Sequence, residues 1–287
     1  MNIRFAIASV AAALAGKSVL TPDELAALKA AAAEVFNAGS DAGFGDSVFE
    51  AALARTKTFT SVDGRTGDYQ AFWVVGRDFE NRTSLIVDPA DGRIPPLTPE
   101  AQKKADARPP FRFDDPHADS WEDRSLSERC ITFGSPRLGA GYNSYYQIVQ
   151  SPGSFAIAME TIHDARVIPL DGRPHVGPNI RQWLGDSRGH WEGDTLVVDT
   201  KNYSRKSALM GSTDSLHVTE RFTRVAPDTI KYEVTFDDPS TWVRPWTAMI
   251  PLKRVDEQIY EYACHEGNTG LEGILSGARE QEKQAGR

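Results

Sequence analysis

Apolar and polar residues alternate over many short stretches of the chain, and that period of two predicts strands with one buried face. Downstream of Tyr142 the stretches are Tyr145 to Gln150, Ser154 to Ile162, Arg166 to Leu170, Gly189 to Glu192, Thr195 to Thr200, Leu216 to Arg224, Thr229 to Phe236, Arg244 to Leu252 and Gln258 to Cys264. Pro152-Gly153, Gly193-Asp194 and Pro227-Asp228 supply tight turns between neighbours. Upstream, Ala71 to Val75 and Thr83 to Val87 add two strands before Asp91-Gly92 and Pro95-Pro96 interrupt the pattern. Residues Thr98 to Trp121 are rich in proline and charge, which predicts a surface excursion with a short helix after Pro99.

A period of 3.6 occurs near the start, where Leu25, Leu28, Ala32, Val35 and Phe36 mark a helix over Pro22 to Asn37. Thr21-Pro22-Asp23-Glu24 has capping-box spacing at its entrance. Helices do not alternate with the strands, so a parallel α/β fold is disfavoured. The expected class is mainly β, an antiparallel up-and-down barrel or sandwich with an N-terminal helical extension. The expected organisation is an extension over 1–56, the β domain over 57–277 and a polar tail over 278–287.

Composition fits an ordinary globular protein, with 40% hydrophobic and 25% charged residues in 287. Thirty-two Lys and Arg against 40 Asp and Glu leave a net charge of -8 and no basic cluster for a phosphate backbone, which excludes nucleic acid as an expected partner. No run reaches the roughly 20 apolar residues of a membrane span. Arg4 followed by the apolar run Phe5 to Ala15 has the form of a secretory signal, but the run is mostly alanine and a helix follows at once. A cytoplasmic location is expected, with a periplasmic one as the alternative. Cys130 and Cys264 lack zinc-site spacing; one disulfide and two free thiols both fit.

Signatures of nucleotide loops, nucleophile elbows, zincins and EF-hands are missing, so no cofactor and no metal are expected. Candidate chemistry comes from polar side chains that strand parity places on apolar faces. Glu220 shares a face with Leu216, Val218 and Phe222, and Arg244 shares one with Trp246, Ala248 and Ile250. In a meander the two lie about 10 Å apart at the backbone, which long side chains span, as a structural ion pair or as part of a site.

Glu160, His163, Asp164 and Arg166 crowd the end of an apolar strand. His163 suits a general base oriented by Glu160 or Asp164, against the alternative of a solvated turn. His190 and Glu192 share one face of a hairpin strand; two such ligands do not make a metal site. Tyr262 and His265 end the last strand at what would be a pocket mouth, and a thiolate role for Cys264 beside His265 is discounted because neighbours on a strand face opposite ways. Tyr146 and Trp246 join the set as aromatic walls for a planar ligand, whereas His117, His175 and His217 receive no role.

Four segments resemble a large bacterial family, most of whose members lack an assigned activity: Asn81-Arg82-Thr83-Ser84-Leu85-Ile86-Val87-Asp88-Pro89, Ile162-His163-Asp164-Ala165-Arg166, Gly189-His190-Trp191-Glu192-Gly193-Asp194-Thr195 and Tyr262-Ala263-Cys264-His265-Glu266-Gly267-Asn268. The likeness covers about residues 71 to 277 and implies a lipocalin-like fold, with export common among relatives. It also implies kinship with enzymes that convert phenylcoumaran lignin dimers to stilbenes, losing the side-chain carbon as formaldehyde or carbon dioxide. No catalytic motif carries over, so the residue roles rest on parity. The expected function is thus a cofactor-independent lyase on an aromatic dimer. In that reading His163 is the base, Asp164 or Glu160 its orienter, and Arg244, His190 and Tyr146 stabilise phenolate; Glu192, Glu220, Trp246, Tyr262 and His265 contact substrate. A lipocalin-like binder of an aromatic ligand and a hydrolase or carbohydrate-active lyase with paired carboxylates are the alternatives. The partner is a small aromatic molecule, and a homodimer is left open.

Overall fold

The alternating stretches form two antiparallel sheets in the computed structural model of the chain, which describes residues 17–37, 80–107, 118–138, 143–207 and 209–286. The N-terminal apolar run, the expected strand Ala71 to Val75, His117 and Tyr142 lie outside the described residues. The described elements are α1 (Pro22–Asn37), β1 (Ile86–Asp88), α2 (Pro99–Asp106), β2 (Tyr146–Ser151), β3 (Ser154–Met159), β4 (Ala165–Pro169), β5 (Asp186–Glu192), β6 (Thr195–Lys201), β7 (His217–Ala226), β8 (Thr229–Asp237), β9 (Trp246–Lys253) and α3 (Gly270–Gln284). One sheet has the order β1-β9-β8-β7-β6-β5 and the other β2-β3-β4. Neither closes on itself, so of the two expected architectures the sandwich-like one is found.

Turn chemistry sets the register. Gly193, at φ +58°, and Asp194 connect the paired residues Glu192 and Thr195 in a two-residue hairpin. Pro152-Gly153 and Pro227-Asp228 do the same between Ser151 and Ser154 and between Ala226 and Thr229. The helices begin as their capping residues dictate. Glu24 accepts the Thr21 N–H at 2.8 Å while Thr21 Oγ1 accepts the Glu24 N–H at 3.3 Å, and Thr98 Oγ1 accepts the Ala101 N–H ahead of α2.

The sheets face one another over a shared apolar core. Phe155, Ile157, Met159 and Ile168 from the smaller sheet meet Leu196, Val198, Val218, Phe222 and Val234 from the larger one. At one end of the core Trp246 stacks on Phe236 with centroids 4.4 Å apart, and Trp242 packs edge-on against it. Trp246 is completely buried, so it belongs to the core and not to a ligand wall as expected from sequence. The sheets approach closely where β4 passes β5. A Cβ on Gly189 would lie 2.6 Å from Leu170 Cδ2 and 3.0 Å from Ile168 Cγ2, which is why that position holds no side chain.

Two expected segments differ. Gln258 to Cys264 forms no ladder; it belongs to a strap, residues 254–268, that has no regular secondary structure up to 263 and then a bend and turn. Helix α3 crosses the expected boundary at residue 277 and takes in most of the expected polar tail. Its buried stripe is thin: Leu271, Leu275 and Ala278 recur at helical spacing, with Ala278 buried and the two leucines half-buried. Arg279 fixes the helix by donating to the Ala118 and Asp119 carbonyls at 3.0 Å each. Among the described residues no helix is long and apolar enough to cross a membrane.

Candidate functional site

Alternation in β7 sends Val218, Glu220 and Phe222 into the space between the sheets, and Glu220 is 0% exposed there. A carboxylate so placed requires compensation. It comes from Arg166 of β4, on the opposite sheet, rather than from Arg244. Arg166 Nη1 donates to Glu220 Oε1 at 3.0 Å and Nη2 to Oε2 at 2.5 Å, a bidentate pair. The Tyr232 hydroxyl donates to Glu220 Oε1 at 2.6 Å. Ser135, Ser187 and Thr200 hydroxyls accept the remaining Nη protons at 3.0 to 3.1 Å. Burial works against charge on Arg166, but Glu220 overrides it and holds the guanidinium protonated. Burial, reinforced by Glu220, pushes the Tyr232 hydroxyl far above its ordinary pKa, so it stays a donor.

Beside this network a small cleft opens, bounded by Arg137, Tyr146, Met159, Phe222, Tyr232 and Leu252. Its enclosed volume is about 20 Å³, room for one water molecule. Tyr146 is half-buried overall, and burial raises the pKa of its hydroxyl. Arg137, half-buried, donates to Thr161 Oγ1 and lies over the Phe133 ring with its guanidinium carbon 5.3 Å from the centroid.

The strap passes beside the cleft, tied at residues that flank its walls. The Tyr260 N–H donates to the buried Glu160 carboxylate at 3.1 Å. The Tyr145 hydroxyl donates to Glu257, and Tyr262 packs edge-on against Phe133. Cys264 is joined to Cys130 by a disulfide with a Cα–Cα separation of 5.7 Å, which settles the choice left open by spacing in favour of the bridge.

The expected site residues fall into separate groups. Glu220 and Tyr146 line the cleft. Glu160 and Asp164 lie at the turn beside it, Glu160 holding the strap and Asp164 accepting a hydrogen bond from Thr132 Oγ1 at 2.6 Å. Burial raises the Asp164 pKa, and the Thr132 hydroxyl and Phe133 N–H only partly offset it. His163 follows Ile162 in this turn, both in the left-handed region at φ +43° and +54°, and its ring faces solvent. That conformation costs a β-branched residue such as Ile162 about 1 kcal/mol or more.

The other expected members are elsewhere. His190 and Glu192 pair at 3.2 Å on the outer face of β5, their side chains 59% and 49% exposed, and Glu192 also binds Arg221. Arg244 precedes β9 and pairs with Asp88 at 2.6 Å in solvent. Tyr262 and His265 belong to the strap, His265 exposed. The expected convergence of His163, His190, Glu220 and Arg244 therefore does not occur. Arg166, which completes the network, had a readable signal: it shares parity with Ile168 and Leu170. Ser135 and Arg137 come from a loop with no periodicity to mark them.

His175 and His217, given no role from sequence, join a second cluster on the outer face. His175 places one ring nitrogen 2.8 Å from Asp186 and the other 2.7 Å from Asp199, which also receives His217 and lies 3.5 Å from Lys201. Burial alone would raise the Asp199 pKa; the hydrogen bond and charge of His217, with help from His175 and Lys201, lower it to about 2. A carboxylate whose folded pKa is depressed stabilises the fold above its unfolded value and loses that contribution as pH falls through the folded one. Asp199→Asn should therefore cost stability in urea titrations at pH 5, with the gap to wild type closing between about pH 4 and pH 2. A gap that stayed constant over this range would rule out the linkage. Among the described residues no group of three or more ligating side chains is arranged to hold a metal ion.

The class defined by fold and site is an antiparallel β-sandwich with a small, mostly apolar cleft between its sheets, beside a buried ion pair. Against family models, curated proteins and solved structures, the chain matches none.

Proposed function

We propose that the chain is a cofactor-independent lyase that opens a phenolic aromatic dimer of the phenylcoumaran type and releases its side-chain carbon as formaldehyde or carbon dioxide, leaving a stilbene. The observation that supports this reading is the cleft itself. The protonated Tyr146 and Tyr232 hydroxyls, the Arg137 and Arg166 guanidiniums and the Glu220 carboxylate border it among apolar walls, and the Asp164 carboxyl, its pKa raised by burial, sits on the turn beside it.

The chemistry needs only acid and base groups. A base removes the side-chain hydroxyl proton and the carbon–carbon bond breaks to release formaldehyde. Its electron pair forms the new double bond, and the ring oxygen leaves as a phenolate that is then protonated. Asp164 replaces His163 as the base in this reading, because burial keeps its carboxyl closer to the neutral range while His163 points to solvent. Tyr146 donates to the departing phenolate. Room for one water does not admit an aromatic ring, so substrate entry requires the side chains that line the cleft to move apart. Of the two locations read from sequence, the cystine favours the periplasmic one, since oxidising compartments maintain such bridges.

The test is incubation of the purified protein with a phenylcoumaran in cofactor-free buffer, following stilbene absorbance and released formaldehyde. Turnover is expected, and Asp164→Asn and Tyr146→Phe should each lower kcat about 10²-fold or more. Binding without product would instead identify a carrier of aromatic ligands. No product and no binding would remove both readings.

A further inference from the structure

We propose that the inter-sheet cleft selects an anionic group on an aromatic ligand, a carboxylate or a phenolate, with Arg137 as the residue that determines this preference. The inference rests on the cleft being the ligand site, and it narrows the ligand's chemistry whether or not a reaction follows.

The argument is a count of donors and acceptors around the cleft. Two guanidiniums line it, and only one is neutralised. Arg166 is matched by the bidentate Glu220 carboxylate, whereas Arg137 has no carboxylate within 4.0 Å among the described residues. Arg137 bonds the neutral Thr161 hydroxyl, which itself donates to the Asn143 carbonyl. Asp164 lies close enough to feel the Arg137 charge but spends its hydrogen bond on Thr132. The residues lining the cleft therefore carry a net charge of +1 in a chain whose net charge is -8.

The hydrogen-bond balance leans the same way. The buried Arg166 Nε–H has no hydrogen-bond partner among the described residues. Of the acceptors that line the cleft, both Glu220 oxygens are already engaged, by Arg166 and one also by Tyr232. A half-buried cation without a counter-ion is costly unless a ligand supplies one. A planar anionic oxygen group suits the guanidinium fork, and the Phe133 ring beneath Arg137 restricts that fork's orientation. A neutral aromatic would leave these donors unmatched, and a cationic one would be repelled.

The experiment is isothermal titration calorimetry with paired probes: benzoate against benzamide for the carboxylate, and 4-nitrophenolate against 4-nitroanisole for the phenolate. In the wild type at least one anion should bind about tenfold or more tighter than its neutral partner, and the larger ratio identifies the preferred group. Arg137→Gln should bring that ratio to about one, while Arg137→Lys, which keeps a charge but loses the fork, should retain part of it. Near-UV circular dichroism reports whether each variant is folded, and the lysine variant alone decides the matter if the glutamine variant is not. Equal binding of anion and neutral partner by the wild type, or an undiminished preference in Arg137→Gln, would overturn the proposal while leaving the cleft as the ligand site. Absence of binding by all four probes would overturn both.

Discussion

Glu220→Ala is expected to destabilise the protein by about 3–5 kcal/mol, read as a shift of the guanidinium unfolding midpoint at constant slope. The magnitude follows from what the substitution strands. Arg166 is 4% exposed and Glu220 0%, so neither charge is screened by solvent. Removing the carboxylate leaves a guanidinium with three hydroxyl acceptors and no counter-charge in an apolar core, and it also frees the Tyr232 hydroxyl. Replacing both partners with apolar residues, Arg166→Met with Glu220→Leu, should cost much less than either single truncation, because no charge is then buried alone. A double variant as unstable as the singles would show that the hydroxyls around Arg166, rather than the charge pair, carry the effect. An Arg166→Met, Glu220→Leu protein that folds yet loses ligand binding would separate the network's role in the site from its role in the core.

Loss of the Cys130–Cys264 bridge should cost about 2–4 kcal/mol, towards the upper end for so long a loop. The bridged residues are 134 apart in sequence, so the cross-link restricts the unfolded chain across most of the sandwich. Thermal melts of the Cys130→Ala, Cys264→Ala variant, and of wild type with and without reductant, measure the effect. The wild type should fall to the variant's midpoint under reductant while the variant stays unmoved. Coincident midpoints for wild type and variant without reductant would mean that no bridge stabilises the protein.

The sheets were legible because alternation and turn residues agree: β7, β8 and β9 each place aliphatic and aromatic residues on one face, and two-residue turns join β2 to β3, β5 to β6 and β7 to β8. Glu220 was found by the same rule. Arg244 misled it because the strand starts at Trp246, after Pro245, whose missing N–H cannot extend the ladder; parity does not apply two residues outside a strand. In β5 the inward positions begin with Ser187 and Gly189, and Trp191, the one large apolar residue of that parity, is exposed at the strand's end, so the buried face is poorly marked. His190 and Glu192 were correctly placed together and assigned to the wrong side.

Tyr260, Tyr262 and Cys264 alternate without forming a strand, because alternation reports a surface to lie on and not a free edge to pair with. The Arg166–Glu220 pair was out of reach for a different reason. Parity can place each residue on an inward face, but which sheet faces which is decided by packing between segments 54 residues apart.

The strap's mode of attachment bears on how such a scaffold diversifies. Between Lys253, the last residue of β9, and the bridge at Cys264, ten residues are fixed at both ends and contribute no rung to either sheet. Substitutions there change no inter-strand hydrogen bond, so the segment can vary in sequence while the sandwich that holds the buried charges keeps its registers.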